Sequence, residues 1–571
     1  MTSGPPEVEA AFSALLDRHA AWLGCRTVRH GHLTWLGGGD AAGPWFEAED
    51  GTTRAALFEP PTVATFSTDT PVRWEACSES VRIDVPLVTP EQVYYVEHER
   101  LFVAGNDLRP LAAWAGFEPD PHSAAAFMQY GMVPAPMTLI RGVSRVPNGF
   151  SLTYRGGSNA SVRRETPPIA EWTAPTDVES TPGKLDRALK TTPSGAVVFF
   201  SGGTDSGLIA ARLSALGRTD VQLVNYAFGE DDDDSRAAEK LAGSLGLPFH
   251  RIRHDDAGLP DLFDRIGADS IFPFNDLSVI PTHRMLHASR ELLTAGGAAL
   301  LGVGADDIYD GGLKIRSWDD VYRVPRFLRG LAVGLLALTR PWWRDDRSRR
   351  VWGILRRSLS SRHPLGPLLM HNDLAGIGYP YGGVQRRIDA AWNEVYDPFT
   401  EGLSPEGRLS FAYLLNGGMG WEAPKFDPLR RFGVRSLYPF LDGEMLPHGF
   451  SLDWDQKCEG TKDKVLLKKL LRDSVPGGLE QRPKRGFSPP YERLLGNSDV
   501  QERMRAVLLD TDAPFAACYD AGFLRRALDR GRAGMTPNRG VMNLIWAAFF
   551  ASSWLAQSRA ALSRRPPDPA G

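Results

Sequence analysis

A glycine-rich turn with several hydroxyl groups follows an apolar run at residues 196–213, AVVFFSGGTDSGLIAARL. The apolar run predicts a buried strand, SGGTDSG predicts a turn, and LIAARLSAL predicts a helix. Gly202 and Gly203 allow the backbone to approach an anion closely, and the first amides of the helix point towards that anion. The side chains of Ser201 and Ser206 offer further hydrogen bonds. This pattern predicts a loop that binds phosphate groups.

The loop lacks the lysine with which Walker-type loops reach the β- and γ-phosphates, so transfer of the γ-phosphoryl group is not favoured. Asp205 instead offers a carboxylate for Mg²⁺. Asp306, Asp307 and Asp310 follow another apolar run, at the predicted carboxyl edge of a sheet, where ligands bind in open α/β folds. A cradle that holds the β- and γ-phosphates as leaving pyrophosphate suits adenylation. The alternative is that the three later acids form only a solvated turn.

The loop and four later segments together resemble the asparagine synthetase-like ATP pyrophosphatases. SGGTDS is similar to the pyrophosphate-binding loop of that family. The four other similar segments, in family order, are VNYAFGEDDDDSRAAEKLAGSLGLPFH (224–250), LLGVGADDIYDGG (300–312), SLYPFLDGEML (436–446) and GTKDKVLLKKLLRDSVPGGLEQRPKRGFSPP (460–490). The resemblance covers about residues 190–490 and extends weakly upstream.

The resemblance implies ATP and Mg²⁺ as cofactors and assigns roles to particular residues. The implied magnesium ligands are Asp205 and Asp306. The implied pyrophosphate-binding residues are Ser201, Gly202, Gly203, Asp205 and Ser206. The implied adenosine contacts, at the ends of strands, are Phe200, Phe228, Leu301 and Gly302.

A lysine near the end of the matched region is implied to stabilise charge on the adenylate and in the transition state. Either Lys462 or Lys464 matches it, because the alignment there is fixed only to within one or two residues. These lysines, with Asp205 and Asp306, form the predicted catalytic set. From the residues alone, the lysines are equally consistent with a solvated helix face. Lys484 fits the family's R.K motif.

The expected fold class is α/β. Residues 1–155, with strand-forming runs such as SVRIDVPLV, are expected to form a degenerate Ntn-glutaminase-like α+β domain. The polar, proline-rich residues 156–184 predict a linker. Residues 185–560 are expected to form the ATP pyrophosphatase (synthetase, or PP-loop) domain, whose apolar runs between helices predict a mostly parallel sheet flanked by helices. The tail at 561–571 is expected to be disordered.

Two departures from the family pattern narrow the expected activity. The family's glutaminase uses an N-terminal cysteine, whereas this sequence has Thr2, and GNDLRPL (105–111) keeps only a trace of the pocket for glutamine. Hydrolysis of free glutamine is therefore not expected. Val303 stands where asparagine synthetases carry a glutamate and β-lactam synthetases a tyrosine, and valine cannot move a proton. Glu422, Asp427, a histidine or solvent would then deprotonate the amine.

Family members with a degenerate first domain include β-lactam synthetases and lasso peptide macrolactam synthetases, in which an amine of the substrate attacks the acyl-adenylate. The first expectation is a lasso-type macrolactam synthetase of antibiotic biosynthesis. Its substrate would be a peptide carboxylate, and its partners a leader-peptide-binding protein and a leader protease. The alternatives are a small-molecule β-lactam synthetase, an asparagine synthetase-like amide ligase, and a nucleotide-binding scaffold without activity.

The segment at 316–362 is strongly basic and rich in tryptophan, with twelve arginines and four tryptophans. Segments of this kind attach to anionic membrane surfaces or to acidic partners. We therefore predict peripheral membrane contact or contact with an acidic leader peptide. The alternative is a solvated helical pair above the active site.

The composition excludes several functional classes. A net charge of −4 over 571 residues gives no general attraction to nucleic acid, which argues against a tRNA-modifying enzyme. The four cysteines are widely spaced with no CxxC pair, which favours a reducing cytoplasm over a disulfide framework or a cysteine zinc site. No stretch is long and apolar enough to predict a membrane span, and a cytoplasmic protein is expected.

Overall fold

The structure, a computed structural model, describes residues 80–309, 385–475 and 491–563 with short gaps, and isolated segments elsewhere. The gaps are 99–100, 156–158, 172, 174–175, 231, 295, 460–461 and 536–538. The isolated segments are 2–3, 10, 12–18, 26–30, 33–37, 45–49, 52–56, 72–76, 324–339, 352, 355–356, 359, 369, 371–372, 374 and 487. The predictions for Asp310, Lys484, most of the segment 316–362 and residues 564–571 of the tail lie outside the described residues.

The first region of the chain is built on antiparallel sheets. Its strands are β1 (Thr2–Ser3), β2 (Arg26–His30), β3 (Leu33–Gly37), β4 (Trp45–Glu49), β5 (Thr52–Ala56), β6 (Arg73–Ala76), β7 (Ser80–Asp84), β8 (Val93–His98), β9 (Leu101–Gly105), β10 (Ser144–Val146), β11 (Phe150–Arg155) and β12 (Ser161–Arg164). One sheet has the order β1-β9-β8-β10, a second has the order β12-β11-β7-β6-β5-β4, and β2 pairs with β3. Helices α1 (Leu108–Trp114) and α2 (Pro121–Tyr130) follow β9.

The two larger sheets pack face to face through alternating apolar side chains. Along β7, Val81 and Ile83 are buried whereas Arg82 is exposed, which is the alternation of a half-buried strand. Phe102 of β9 stacks on Tyr154 of β11 with ring centroids 4.5 Å apart, and both belong to one buried cluster. The strand-rich first region predicted from the sequence is confirmed, while its glutaminase-like identity stays a prediction.

The predicted linker at 156–184 contains regular structure, contrary to expectation. β12 pairs antiparallel with β11, so the second sheet continues to Arg164. Helix α3 (Thr181–Lys190) also begins inside the predicted linker. The sequence suggested a linker here because β12 is an edge strand whose residues are exposed or half-buried. Its polar composition therefore resembles that of a loop.

The later region alternates strands and helices. Its strands are β13 (Val197–Phe199), β14 (Gln222–Ala227), β15 (Phe249–Arg253), β16 (Ala298–Leu300) and β17 (Arg435–Leu437). Its described helices after α3 are α4 (Thr204–Ala215), α5 (Asp233–Leu245), α6 (Leu259–Asp269), α7 (Val279–Ala288), α8 (Ala305–Tyr309), α9 (Arg326–Leu338), α10 (Gln385–Ala391), α11 (Pro405–Tyr413), α12 (Pro428–Arg431), α13 (Met445–Ser451), α14 (Trp454–Lys457), α15 (Val465–Ser474), α16 (Tyr491–Gly496), α17 (Ser498–Leu508), α18 (Ala521–Arg532) and α19 (Arg539–Ser563). π-helical turns occur at Trp392–Tyr396 and Leu414–Glu422, and a 3₁₀ helix at Ala423–Phe426.

All five strands of this region form one parallel sheet in the order β15-β14-β13-β16-β17. Every residue of β13 and β16 is buried, as in a parallel sheet covered by helices. The strand order changes direction between β13 and β16. Ligands of open α/β sheets bind at such a point, beyond the carboxyl ends of the strands. The predicted parallel α/β architecture is confirmed, and its crevice lies at the predicted phosphate loop.

Helix α9 contains the apolar run GLAVGLLAL (330–338), and large apolar side chains of the helix are exposed to solvent. Its large exposed side chains are Phe327, Leu328, Leu331, Leu335 and Leu338. Spacings of three and four residues place most of them on one face of the helix. In the described part of the chain, none of the helices has the length and apolarity that a membrane span requires.

Candidate active site

The turn between β13 and α4 brings helical amides to the carboxyl edge of the sheet. Gly202 adopts a φ of +74°, and a Cβ added there would lie 2.8 Å from the Cβ of Ala238 on α5. α4 begins at Thr204, so the turn is shorter than predicted, and Asp205 and Ser206 lie in the first helical turn. The sequence placed this boundary too late because Thr, Asp and Ser also favour turns.

The hydroxyl groups of the loop are organised by local hydrogen bonds. Ser206 Oγ accepts a hydrogen bond from the amide of Ser201 at 3.1 Å and lies 3.1 Å from Ser201 Oγ. The amide of Gly203 donates to Ser201 Oγ at 3.2 Å. Gly203 precedes α4 and has no side chain to cap it. The first amides of α4 are therefore suited to an anion.

The strand ends beside the loop are held by an asparagine that the sequence did not single out. Asn225 of β14 donates to the carbonyl of Phe200 at 2.8 Å and accepts from the hydroxyl of Ser235 at 2.6 Å. The side chains of Phe200 and Leu301 are buried in the core. Their implied adenosine contacts would therefore come from the main chain.

Lys464 joins the two predicted magnesium ligands. Its ammonium lies 2.7 Å from both carboxylate oxygens of Asp205 and 2.5 Å from Oδ1 of Asp306. Its side chain is only 3% exposed. Burial lowers the pKa of Lys464, but the two carboxylates outweigh that effect and hold the pKa above its ordinary range. A buried cation therefore lies between acids from α4 and α8.

The structure separates the two lysines that the sequence left as alternatives. Lys462 is exposed, and its ammonium lies 3.0 Å from Glu459 on the surface. Lys464 immediately precedes α15 and has a φ of +49°, an uncommon backbone conformation for a residue with a side chain. The two lysines lie only two positions apart, but Lys464 alone of the pair reaches Asp205 and Asp306 in the described structure.

The absence of a side chain at Gly302 allows the end of β16 to approach α4. A Cβ at Gly302 would lie 3.1 Å from the Cβ of Asp205, closer than most real contacts. Larger residues would push β16 and the first turn of α4 apart. Gly302, predicted as an adenosine contact, therefore lies directly beside the acids.

Asp205 and Asp306 fit the predicted Mg²⁺ site. The ammonium of Lys464 marks one point within 2.7 Å of oxygens from both carboxylates. Mg²⁺ binds carboxylate oxygens at about 2.0–2.1 Å and usually keeps waters or phosphate oxygens as its other ligands. Two carboxylates beside the phosphate-type loop match that donor set. Bound there, Mg²⁺ would supply positive charge to the phosphates.

Comparison with known proteins agrees with this geometry. The sequence pattern of the family described as "Asparagine synthase" matches residues 186–556, which is most of the chain. The chain belongs to the asparagine synthase family. Proteins of Mycobacterium bovis and of two strains of Mycobacterium tuberculosis, whose names describe them as glutamine-hydrolysing asparagine synthetases, are 25% identical to it over 462 residues. The match covers 74% of this chain and 66% of the length of each relative, just under two thirds.

In this asparagine synthase family member, an aromatic group lies beside the implied adenosine residue Phe228. The rings of Tyr226 and Phe487 lie 5.4 Å and 5.7 Å from it. The hydroxyl of Tyr226 lies 2.6 Å from Nδ1 of His254. The amide of Phe228 donates to Asp232, the residue that caps α5. The acidic run at 231–234 thus includes the residue that caps α5.

A buried ion pair beyond the π-helical turn was missed by sequence reasoning. Lys425 donates to Asp276 and to Ser278, each at 2.8 Å, and lies 3.6 Å from Glu422. Burial lowers the pKa of Lys425, but Asp276 and Glu422 together raise it above its ordinary value. A single lysine in a polar segment carries no signal of burial. The segment around it, WEAPKFDPLRRFGVRSLYPFLD (421–442), contains α12 and β17.

The two predicted bases have different surroundings. Glu422 is half-exposed beside Lys425. Asp427 is half-buried with its Oδ2 atom inside the protein, and removal of the carboxyl from water raises the pKa of Asp427 to about 7. The charged residues that act on it are Arg430, Arg109 and Asp107, none of which belongs to the Lys464 cluster. A proton acceptor near neutral pH thus exists, but no contact links it to Asp205 or Asp306 in the described residues.

Proposed function

We propose that the protein is an ATP-dependent amide-bond-forming ligase. A substrate carboxylate attacks the α-phosphorus of ATP, pyrophosphate leaves, and an amine then displaces AMP from the acyl-adenylate. Membership of the asparagine synthase family supports this class of reaction. The observation that carries the proposal is the contact of Lys464 with both Asp205 and Asp306, beside a phosphate-type loop.

The residues of this cluster have complementary tasks in the proposed reaction. The amides at the start of α4, with Ser201 and Ser206, bind the leaving pyrophosphate. Asp205 and Asp306 would hold Mg²⁺. Lys464, almost fully buried, stabilises the negative charge that develops on the phosphate oxygens, where water screens it little. These are effects of binding and charge, and none requires a base.

We further propose that the amine belongs to the substrate itself, so that the product is a lactam. Val303 is buried and cannot transfer a proton, which disfavours the chemistry of enzymes with glutamate or tyrosine at that position. Asp107, in the remnant of the glutamine pocket, accepts hydrogen bonds from the backbone and side chain of Arg109. A carboxylate engaged in this way is poorly suited to bind glutamine.

Among lactam-forming reactions, we favour closure of a lasso-type peptide ring over synthesis of a small-molecule lactam. A peptide amine attacking an unstrained acyl-adenylate needs mainly positioning, which can replace strong base catalysis. The half-exposed Glu422 lies 3.6 Å from the buried Lys425, and in this proposal its segment lines the acceptor pocket. A leader-binding protein and a leader protease would be the partners of such an enzyme.

We also propose that α9 rests on an anionic lipid surface. Its apolar face is exposed, and the surrounding segment 316–362 holds twelve arginines. Apolar side chains and flanking cations are the two features that attach a helix to anionic lipid. The contact would be peripheral.

The proposed reaction is tested by its products. Incubation of the protein with Mg²⁺, ATP and a candidate precursor peptide should release AMP and pyrophosphate and yield a peptide lighter by one water. Formation of ADP instead of AMP would contradict adenylation. Exchange of labelled pyrophosphate into ATP without ring closure would support the ligase class while rejecting that peptide. Ammonia released from glutamine would overturn the account of the amine source.

A further inference from the structure

Three side chains of metal-binding type come together between α6 and α7, outside the proposed active site. Asp269 is the last residue of α6, and His283 and His287 lie one turn apart on α7. Nε2 of His287 lies 3.1 Å from Oδ2 of Asp269, and Nδ1 of His283 lies 3.6 Å from the same oxygen. One ligand atom from each residue falls within 4.8 Å of the others.

His283 is buried without hydrogen bonds. Its side chain is 0% exposed, and neither ring nitrogen has a hydrogen-bond partner in the described structure. His448 shows the ordinary alternative, since its two ring nitrogens lie 2.8 Å and 3.1 Å from the hydroxyls of Thr181 and Thr176. A buried polar group without a partner costs about 1–3 kcal/mol. A ligand bound to His283 would remove this cost.

The spacing of the three ligand atoms suits a tetrahedral ion. With bonds of about 2.0–2.1 Å, the ligands of tetrahedral Zn²⁺ lie about 3.3 Å apart. The two separations from Oδ2 of Asp269, 3.1 Å and 3.6 Å, lie on either side of that value. Two histidines four residues apart on one helix also present their rings on the same face.

Arg431 binds the other oxygen of Asp269 and leaves Oδ2 available. Its guanidinium lies 2.6 Å from Oδ1, the arrangement in which an outer partner orients a metal-bound carboxylate. The positive charges of Arg431 and of Arg265, which acts on His283, oppose a divalent ion, and the carboxylate of Asp269 offsets one of them. Neutral ligand sets do bind Zn²⁺ tightly, as three histidines do in carbonic anhydrase.

We propose that Asp269, His283 and His287 bind a zinc-class divalent ion, with water as the fourth ligand. The ion joins the end of α6 to α7. The ion and the water enter past His287, whose side chain is 27% exposed. Nitrogen ligands favour Zn²⁺ over Mg²⁺, so this site differs in chemistry from the one at Asp205 and Asp306.

The experiment is a zinc titration of full-length protein without a histidine tag, in competition with a chromogenic chelator. The wild type should bind one zinc ion. His287→Gln and His283→Gln should each lower the zinc affinity by more than about 10–100-fold, which is the loss expected when a residue that only orients a ligand is removed. Co²⁺ in place of zinc should show the intense visible absorption of tetrahedral coordination. Zinc should also raise the unfolding temperature of the wild type but not of these variants.

His448→Gln is the matched control, because it replaces another buried neutral histidine without touching the cluster. It should bind zinc like the wild type. Equal zinc affinity in the wild type and both cluster variants, or octahedral Co²⁺ spectra, would overturn the proposal. If His283→Gln does not fold, His287→Gln on the partly exposed ligand decides the question alone.

Discussion

Replacement of Lys464 by methionine should change the affinities for Mg²⁺ and for ATP in opposite directions. The lysine ammonium occupies the space between Asp205 and Asp306, where it balances both carboxylates. Lys464→Met keeps a long side chain but removes the charge. Without nucleotide, the two acids then lack their counter-ion and should bind Mg²⁺ more tightly. With ATP, the loss of a positive charge near the phosphates should weaken binding.

The size of the change in Mg²⁺ affinity follows from how exposed the ion pairs of Lys464 are. Exposed ion pairs are worth about 0.2–1 kcal/mol, and disruption of a buried pair costs about 3–5 kcal/mol. Lys464 is 3% exposed, whereas the side chain of Asp306 is 45% exposed, so this cluster lies between the two classes. We take about 2 kcal/mol, which corresponds to about a 30-fold gain in Mg²⁺ affinity.

Isothermal titration with MgCl₂ and separately with Mg·ATP measures both affinities and needs no knowledge of the acyl substrate. Lys462→Met is the control, because its ammonium contacts Glu459 on the surface. The control should leave both affinities unchanged. If Lys464→Met leaves the affinity for Mg²⁺ unchanged or lowers it, Asp205 and Asp306 do not share one cation site and the reasoning fails.

Asp427→Asn should increase the free energy of urea unfolding by about 2–3 kcal/mol more at pH 8 than at pH 5. The wild-type carboxyl has a pKa raised to about 7, so wild-type stability falls as pH rises from the ordinary pKa of Asp to about 7. An equal effect of the substitution at both pH values would contradict the burial of that carboxyl. Gly202→Ala should lower the free energy of unfolding by about 2–4 kcal/mol and weaken ATP binding. Gly217→Ala, at a similar φ but in open space, should lower it by only about 1–2 kcal/mol. Equal losses in the two variants would show that the contact with α5 is unimportant. The double change of Leu331 and Leu335 to Glu should abolish sedimentation with anionic vesicles, and unchanged sedimentation would reject the proposed lipid contact.

The central elements of the fold were predictable because their signals are local. A continuous apolar run such as residues 196–200 is expected only where a strand is covered on both faces, and β13 is such a strand. Glycines, hydroxyl residues and an aspartate after that run predicted the phosphate-type turn. The edge strand β12 escaped prediction because none of its residues is buried, so no apolar alternation marks it in the sequence. The start of α4 was misplaced because its first residues favour turns as well.

The residue types and their order along the chain were sufficient to predict a parallel α/β sheet, the glycine-rich turn after its central strand and the two acids that lie near that turn. They could not separate Lys462 from Lys464, because residues two positions apart have nearly the same sequence context. Folding separates them: the backbone at Lys464 turns through a positive φ just before α15 and directs one ammonium to carboxylates more than 150 residues away. Lys425 with Asp276, and His283 with Asp269, likewise meet only through packing, since charge pairing and burial depend on distances in space.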